Sequence, residues 1–224
     1  MTNPGAKDSS GQETLKKLSE GLLRSAGHTT VKGNLLEIHH DSAPRFDPAF
    51  LRRAFQSFGV SIRLSQDENG IGKQVVRCAS GELPFQDRVF QTVVLHHVVG
   101  SGNEPELAEA VRVLARDGVL LLLGLNLLGW RYRTQRSRGR LPGLSPLRVK
   151  DRLDALEMTM QGFAGAGLAG MSRPVWMHSG LASLGAPLAD IVLMQARHAD
   201  SPEVTPLRFR NPNAAIVQSA VMRG

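Results

Sequence analysis

The stretch "SGELPFQDRVFQTVVLHHVVGSGNEPELAEAVRVLARDGVLLLLGLN" at residues 80–126 contains the clearest run of structural signals in the chain. Residues 91–99 form an apolar run that predicts a strand turning at Gly100. Residues 105–115 have the apolar spacing of a helix, and residues 118–125 predict a second strand, too apolar to face water. A strand, a helix and a buried strand in succession are typical of a parallel sheet.

The residues before this stretch continue the alternation of helices and strands. Leucines at helical spacing predict a short helix over residues 13–26. The best-marked helix spans residues 47–59, because Asp47 can cap it and Pro48 suits its first turn. Three short strands are predicted at residues 34–38, 60–64 and 74–78, and the polar residues 65–73 are predicted to form a loop.

The residues after Asn126 predict a helix over 149–167 and strands near 170–177 and 189–197. The whole pattern predicts an α/β fold with a mostly parallel sheet and flanking helices. The predicted boundaries are a disordered N-terminus at 1–11, one domain over 12–198 and a flexible C-terminal tail at 199–224.

The positive charge of the chain is concentrated in one segment. The net charge is +7, and residues 131–152 contain seven arginines, one lysine and one acidic residue. This segment alone therefore has a net charge of 8 − 1 = +7, and the remaining 19 basic and 19 acidic side chains cancel. Only this segment requires an anionic partner to explain its charge.

The composition is that of a soluble globular protein, with 42% hydrophobic and 21% charged residues. The single cysteine, Cys78, excludes an intramolecular disulfide framework and favours a reducing compartment. The N-terminal residues lack the apolar core of a signal peptide, and no stretch reaches the roughly 20 apolar residues of a membrane span. We therefore expect a cytoplasmic protein.

Residues 80–126 resemble the central block of class I S-adenosylmethionine-dependent methyltransferases, of the group called methyltransferase type 11. With the flanking strands, the resemblance covers residues 30–198. It implies a Rossmann-like sheet, S-adenosylmethionine as cofactor and methyl transfer to an unknown acceptor, largely by proximity and orientation. The matching residues are Leu83, Pro84, Phe85, Asp87, Leu95, His96, His97, Val98, Glu104, Pro105, Arg112, Val113, Leu114 and Gly118.

Three cofactor elements of this family are altered in the sequence. The first loop usually contains closely spaced glycines, whereas residues 39–44 read "HHDSAP". Arg63 and Ala79 stand where the family usually has acids for the ribose and the adenine, and the second helix is shortened. The chain thereby resembles a short bacterial subgroup with a degenerate glycine loop, in which cofactor binding is weakened or lost. Gly124 and Asn126 match a further motif of that subgroup.

The resemblance and the expected carboxyl edge of the sheet place the candidate site, although no catalytic residue is assigned. The candidate cofactor-binding residues are Glu37, His39, Asp41, Ser80, Glu82 and His96. The candidate substrate or partner residues are His97, Asn126, Trp130, Arg131, Arg133, Arg136 and Arg138.

Two histidine pairs, His39/His40 and His96/His97, raise the alternative of a metal site. Adjacent side chains of an extended chain point to opposite faces, so each pair readily offers one ligand. The histidines can instead shape the altered pocket or pack in the core, and no metal ligand is predicted.

The arginine-rich segment at residues 130–152 leaves several partners open. Aromatic side chains among arginines suit RNA, single-stranded DNA, an anionic substrate or an anionic membrane surface. The segment can also be a solvated loop without a partner. The alternative to methyl transfer is therefore a non-catalytic pseudo-methyltransferase that acts as a binding or scaffold protein through this segment, in an oligomeric state that the sequence leaves open.

Overall fold

The computed structural model describes most of the region that the sequence assigns to the α/β domain. The structure describes residues 4–27, 32–55, 61–67, 70–73, 76–78, 82–100, 104–135, 141–167, 173–177 and 188–199. Ser80, Arg136 and Arg138, and the predicted tail beyond Ala199, lie outside these residues.

Five helices and ten strands are present in the described residues, and helices and strands are interspersed along the chain. The helices are α1 (Pro4–Ala26), α2 (Pro48–Phe55), α3 (Pro105–Val113), α4 (Trp130–Gln135) and α5 (Pro146–Ala155). The strands are β1 (Leu35–His40), β2 (Ser61–Asp67), β3 (Gly70–Lys73), β4 (Val76–Cys78), β5 (Phe90–His96), β6 (Leu114–Asn126), β7 (Gly143–Leu144), β8 (Met158–Ala166), β9 (Val175–Trp176) and β10 (Ile191–His198).

The strands form one sheet with a parallel centre. Its order is β4-β3-β2-β1-β5-β6-β10-β8-β9, and β7 pairs with the end of β6. The central strands β2, β1, β5 and β6 are parallel, whereas the outer strands on both sides are antiparallel. The predicted α/β fold is confirmed, and its parallel strands end together at one carboxyl edge.

Each face of the sheet is covered by helices, because strand side chains alternate between the two faces. On one face, α3 and α5 pack over Ile38, Leu95 and Leu122. On the other face, α1 and α2 pack over Leu35, Val94 and neighbouring side chains. Glu37 and His39 are two and four positions after Leu35 and therefore lie on the same, second face, below α1 and α2.

The best-marked helix of the sequence is confirmed. In α2, the Asp47 carboxylate accepts a hydrogen bond from the Ala49 amide at 2.9 Å, which caps the helix as the sequence predicts. Phe50, Leu51 and Phe55 form its buried face. Residues 56–59, which complete the predicted helix, lie outside the described residues.

The prediction of one helix over residues 149–167 is wrong in its second half. The helix α5 ends at Ala155, and Glu157 has a left-handed backbone with φ of 58° that turns the chain into β8. This strand then pairs with β10 along its whole length. Pairing with a neighbouring strand determines the structure of the small residues, such as Ala164, that the prediction places at the end of the helix.

Two segments predicted to be irregular form regular secondary structure instead. The predicted loop at 65–73 is the antiparallel hairpin of β2 and β3, in which Asp67 pairs with Gly70. Only two residues separate the paired positions Asp67 and Gly70, the length of the commonest hairpin connection. Similarly, α1 begins at Pro4, so residues 4–11 are helical instead of disordered, because proline is tolerated in the first turn.

The connection between β2 and β4 differs from the one that the family resemblance implies. In the described residues between β2 and β4, the chain forms the β2–β3 hairpin in place of the usual second helix, in agreement with the shortened helix of the sequence.

No described helix is both long enough and apolar enough to cross a membrane.

Gly27 allows α1 to approach α2 closely, and we expect its substitution by alanine to lower the free energy of unfolding by about 1–3 kcal/mol. A Cβ at Gly27 would overlap the carbonyl oxygen of Ala54 and lie 2.8 Å from its carbonyl carbon. Urea unfolding measures the change. The matched control is Gly11→Ala in α1, where nothing lies within 4 Å of the new Cβ. The control should be neutral or stabilising by up to about 1 kcal/mol, and equal effects in the two variants would contradict the steric argument.

Candidate functional site at the carboxyl edge

The site is built by three neighbouring parallel strands that place charged and imidazole side chains on one face. Glu37 on β1 is in register with Arg63 on β2, and His39 is in register with His96 on β5. Residues in register on parallel strands project to the same side, and Glu37 and His39 are two positions apart. All four side chains therefore belong to one cluster, on the face covered by α1 and α2.

A salt bridge joins the first two strands of the cluster. The Arg63 Nε donates to Glu37 Oε2 at 2.5 Å, and Arg63 Nη1 donates to the Phe46 carbonyl oxygen at 2.8 Å. The Glu37 side chain is fully buried, whereas that of Arg63 is 21% exposed. Burial alone would raise the pKa of Glu37, but His96 and Arg63 together hold this pKa below its usual value. The carboxylate is therefore ionised and depends on these neighbours.

Two buried histidines complete the cluster at the end of β5. Nδ1 of His96 lies 3.6 Å from Glu37 Oε1, and its ring stacks on Phe46 with centroids 4.3 Å apart. Burial lowers the pKa of His96, although the carboxylate of Glu37 opposes this shift. Burial also lowers the pKa of His97, to well below its usual value, with the charges of His96 and His40 adding to the effect. Both rings are therefore neutral at neutral pH.

His97 has an unusual backbone conformation. Its φ of 56° lies in the left-handed region, which non-glycine residues rarely adopt. Its amide donates to the Leu123 carbonyl oxygen at 2.7 Å, which holds this conformation against β6. Such strained positions concentrate at functional sites, so the backbone agrees with a functional edge of the sheet.

The cluster contains six buried polar atoms without a hydrogen-bond partner. They are Arg63 Nη2, His96 Nε2, both ring nitrogens of His97, and the pair Glu37 Oε1 and His96 Nδ1, whose separation of 3.6 Å is too long for a hydrogen bond. Buried polar atoms are nearly always hydrogen-bonded in proteins, and exceptions indicate an additional polar partner such as a water or a ligand. The cluster is therefore suited to accept a polar ligand.

The loop that follows β1 is built without glycine. The strand continues to His40, beyond its predicted end, and His39 Nδ1 lies 2.7 Å from the Leu64 carbonyl oxygen on β2. The ring nitrogen of His40 accepts from the Ser42 amide at 3.2 Å, and the His40 carbonyl accepts from the Ala43 amide at 2.9 Å. Side chains thus stabilise the turn that closely spaced glycines form elsewhere, and the histidines belong to the strand instead of the loop.

The motif "LPFQD" is attached to α3 by Arg112. Its guanidinium donates to the carbonyl oxygens of Leu83 and Phe85, each at 2.9 Å, and to the Asp87 carboxylate at 2.6 Å. The Glu109 carboxylate accepts from the Leu83 amide at 2.8 Å. Two residues of α3, Arg112 and Glu109, therefore hold the turn in place.

The other candidate residues differ in their surroundings. Asp41 has a side chain that is 56% exposed and lies 3.5 Å from Arg45, and Glu82 is exposed beside the turn that Arg112 holds. Asn126 is buried at the end of β6, where its amide nitrogen donates to the Ala189 carbonyl oxygen at 2.9 Å. The structure therefore brings together Glu37, His39, His96 and His97, and places Asp41, Glu82 and Asn126 in other surroundings.

The beginning of the arginine-rich segment lies at the same edge of the sheet, after β6. Trp130 is 75% exposed and Arg133 is exposed. Arg131 is anchored, because its amide donates to the Asp190 carboxylate at 2.9 Å and its Nε lies 3.7 Å from the other oxygen of that carboxylate. Among the described residues, no three histidine, cysteine, aspartate or glutamate side chains are placed to hold a metal ion.

Known structures with the same arrangement identify the fold. A SAM-dependent methyltransferase from Aquifex aeolicus has a TM-score of 0.51 at 11% sequence identity, covering 88% of this chain and 98% of that one. A second from Thermotoga maritima, described as a possible histamine N-methyltransferase, has a TM-score of 0.50 at 12% identity, covering 82% and 89%. The fold is that of class I methyltransferases. No family model and no curated protein matches the sequence.

In this methyltransferase fold, two further residues, Arg63 and Phe46, contact the cluster. The sequence pattern marks Arg63 only as the loss of an acid and gives Phe46 no role. The signal for Arg63 was available, because a base and an acid at equivalent positions of two predicted parallel strands indicate a pair. Phe46 had no comparable signal, since its contact with His96 depends on how the loop folds.

Proposed function

We propose that the protein binds S-adenosylmethionine at the carboxyl edge and transfers its methyl group to an acceptor. The observation that carries this proposal is the set of unpartnered buried polar atoms on Glu37, Arg63, His96 and His97. They lie where open α/β sheets bind their ligands, at the carboxyl ends of parallel strands. The class I methyltransferase fold supports the choice of ligand.

The cluster fits the polar groups of this cofactor. S-adenosylmethionine contains an ammonium and a carboxylate on its methionine part, and these match Glu37 Oε1 as acceptor and Arg63 Nη2 as donor. When bound, the cofactor supplies a methyl group activated by its sulfonium. Because Glu37 and Arg63 neutralise each other and both histidines are neutral, the cluster places no excess positive charge beside a cationic ligand. Neutral imidazoles can also accept a proton from an acceptor.

The second candidate is a non-catalytic binding or scaffold protein, and two contacts specifically favour it. Arg63 already neutralises Glu37, and the Phe46 ring covers His96. The chain's own side chains thus contact Glu37 and His96 from two sides. In this alternative the salt bridge replaces the ligand, and the fold acts by presenting its surfaces to a partner.

We expect the protein to bind S-adenosylmethionine and its demethylated product in calorimetric titrations, and the variant Glu37→Gln to bind at least about tenfold more weakly. The variant retains the size of the side chain but removes the charge that would hold the ammonium. The matched control is Glu13→Gln on α1, where an exposed carboxylate pairs with Lys17. The control should bind like the wild type. Absence of heat from the wild-type protein would exclude the cofactor and leave the scaffold function.

A further inference from the structure

The exposed apolar side chains are concentrated at one end of the sheet. Five large hydrophobic side chains are strongly exposed among the described residues, and four of them lie close to the end of β6. We call these four the β6-end surface: Leu128 (56% exposed), Trp130 (75%), Leu147 (78%) and Leu188 (57%). The fifth, Met177, follows β9 at the far edge of the sheet. Clustered exposed apolar groups indicate an interaction site, whereas scattered ones do not.

Backbone contacts bring the three segments of this surface together. The Leu127 amide donates to the Leu144 carbonyl oxygen at 3.1 Å, which places the segment leading to Leu147 beside the segment of Leu128. On the other side, a Cβ at Gly129 would lie 2.9 Å from the Ala189 carbonyl oxygen. This contact places the residue before Trp130 against the residue after Leu188. The surface is therefore defined by packed backbone rather than by one loose loop.

Basic side chains accompany these apolar groups. Arg133 follows Trp130 on α4, and Arg148 and Arg152 are exposed on α5, the helix of Leu147. Lys150 is exposed as well, but it pairs with Asp154 at 2.5 Å. The sequence segment that contains all of these basic residues accounts for the entire net charge of +7. The surface thus combines apolar side chains with cations, the composition of proteins that bind anionic lipid interfaces.

We propose that the β6-end surface docks the protein onto an anionic lipid bilayer. Leucine and tryptophan side chains enter the apolar and interfacial layers of a bilayer, and neighbouring arginines contact lipid phosphates. The structure favours a bilayer over RNA because Tyr132, the other aromatic residue of the segment, is partly buried in the core and its ring lies against Gly143. Leucines cannot provide the flat faces on which bases stack.

The position of the surface relates it to the candidate site. The strand β6 is parallel to β1 and β5, so its end at Asn126 lies at the same edge as Glu37 and His96. A bilayer contacted by Trp130 would therefore lie on the side of the molecule from which the site receives its ligands. This docking stands independently of methyl transfer, because it rests only on the surface residues.

Co-sedimentation of the full chain with vesicles tests the proposal. We expect binding to a roughly 7:3 mixture of phosphatidylcholine and phosphatidylglycerol, and weaker binding to phosphatidylcholine alone. The double variant Leu128→Ser/Trp130→Ser should bind the mixed vesicles at least about tenfold more weakly, since it removes two side chains that enter the interface. The matched control Met177→Ser removes an exposed apolar side chain at the far edge and should bind like the wild type.

Three results would overturn the docking. They are absence of binding to the mixed vesicles, equal binding by the double variant and the wild type, and equal loss in the Met177→Ser control. A parallel titration with single-stranded polyuridine tests the competing partner. Tighter binding to polyuridine than to the vesicles, unchanged in the double variant, would assign the arginines to nucleic acid instead. Circular dichroism of each variant confirms that the exposed substitutions leave the fold intact.

Discussion

Replacing Arg63 with methionine is expected to lower the free energy of unfolding by about 3–5 kcal/mol. The Glu37 carboxylate is fully buried, and Arg63 is the cation that contacts it. Without that cation, the carboxylate must remain charged in a buried place or take up a proton at neutral pH. Urea unfolding at pH 7 measures the loss. Arg52→Met on α2 is the matched control, because this arginine is exposed, and it should change stability by less than about 0.5 kcal/mol.

The double variant Glu37→Gln/Arg63→Met separates the salt bridge from simple packing. Removing both charges also removes the unpaired carboxylate, so most of the lost stability should return, as is found when buried ion pairs are replaced together. If the stability losses of the two single substitutions instead added up in the double variant, the attraction between the two charges would contribute nothing to stability. A loss below about 1 kcal/mol in Arg63→Met would show that another cation or hydrogen-bond donor already stabilises the Glu37 carboxylate.

The fold could be predicted because its main determinants are local in sequence. The helix at 105–115 holds the turn between Leu83 and Asp87 through Arg112 and packs in one core with the apolar strand at 118–125. The errors occurred where a distant partner determines the structure. The second half of 149–167 became a strand through pairing with β10, which periodicity within the segment cannot reveal.

The candidate site was predicted in part for the same physical reason. Parallel strands place their ends together, so Glu37, His39 and His96 could be assigned to one edge without coordinates. The role of Arg63 does not follow from the family pattern, which shows only an absent acid, whereas the register places the arginine beside Glu37. Contacts made by loops, such as the stacking of Phe46 on His96, follow from three-dimensional folding alone.

The stability of the protein is expected to fall steeply as the pH decreases below about 6.5. Burial lowers the pKa values of His96 and His97 in the folded state. Below the pKa of an unfolded histidine, the unfolded chain therefore binds protons that the folded chain does not. Each histidine then removes about 1.4 kcal/mol of stability per pH unit, until its own folded pKa is reached. Glu37 acts at lower pH, because its stabilising charge is lost only as the pH falls through its lowered pKa.

Replacing His97 with asparagine should reduce this slope by about 1.4 kcal/mol per pH unit, close to half of the contribution of the two buried histidines. Asparagine tolerates the left-handed backbone at this position, where φ is 56°, so the substitution removes the titrating ring without adding backbone strain. Urea unfolding of the wild type and of the variant at pH 7, 6 and 5 gives the two slopes. A wild-type stability that does not change between pH 7 and 5 would show that the histidines become protonated in the folded protein. In that case a carboxylate must compensate their charge, and Glu37, at 3.6 Å from His96, is the group in position to do so.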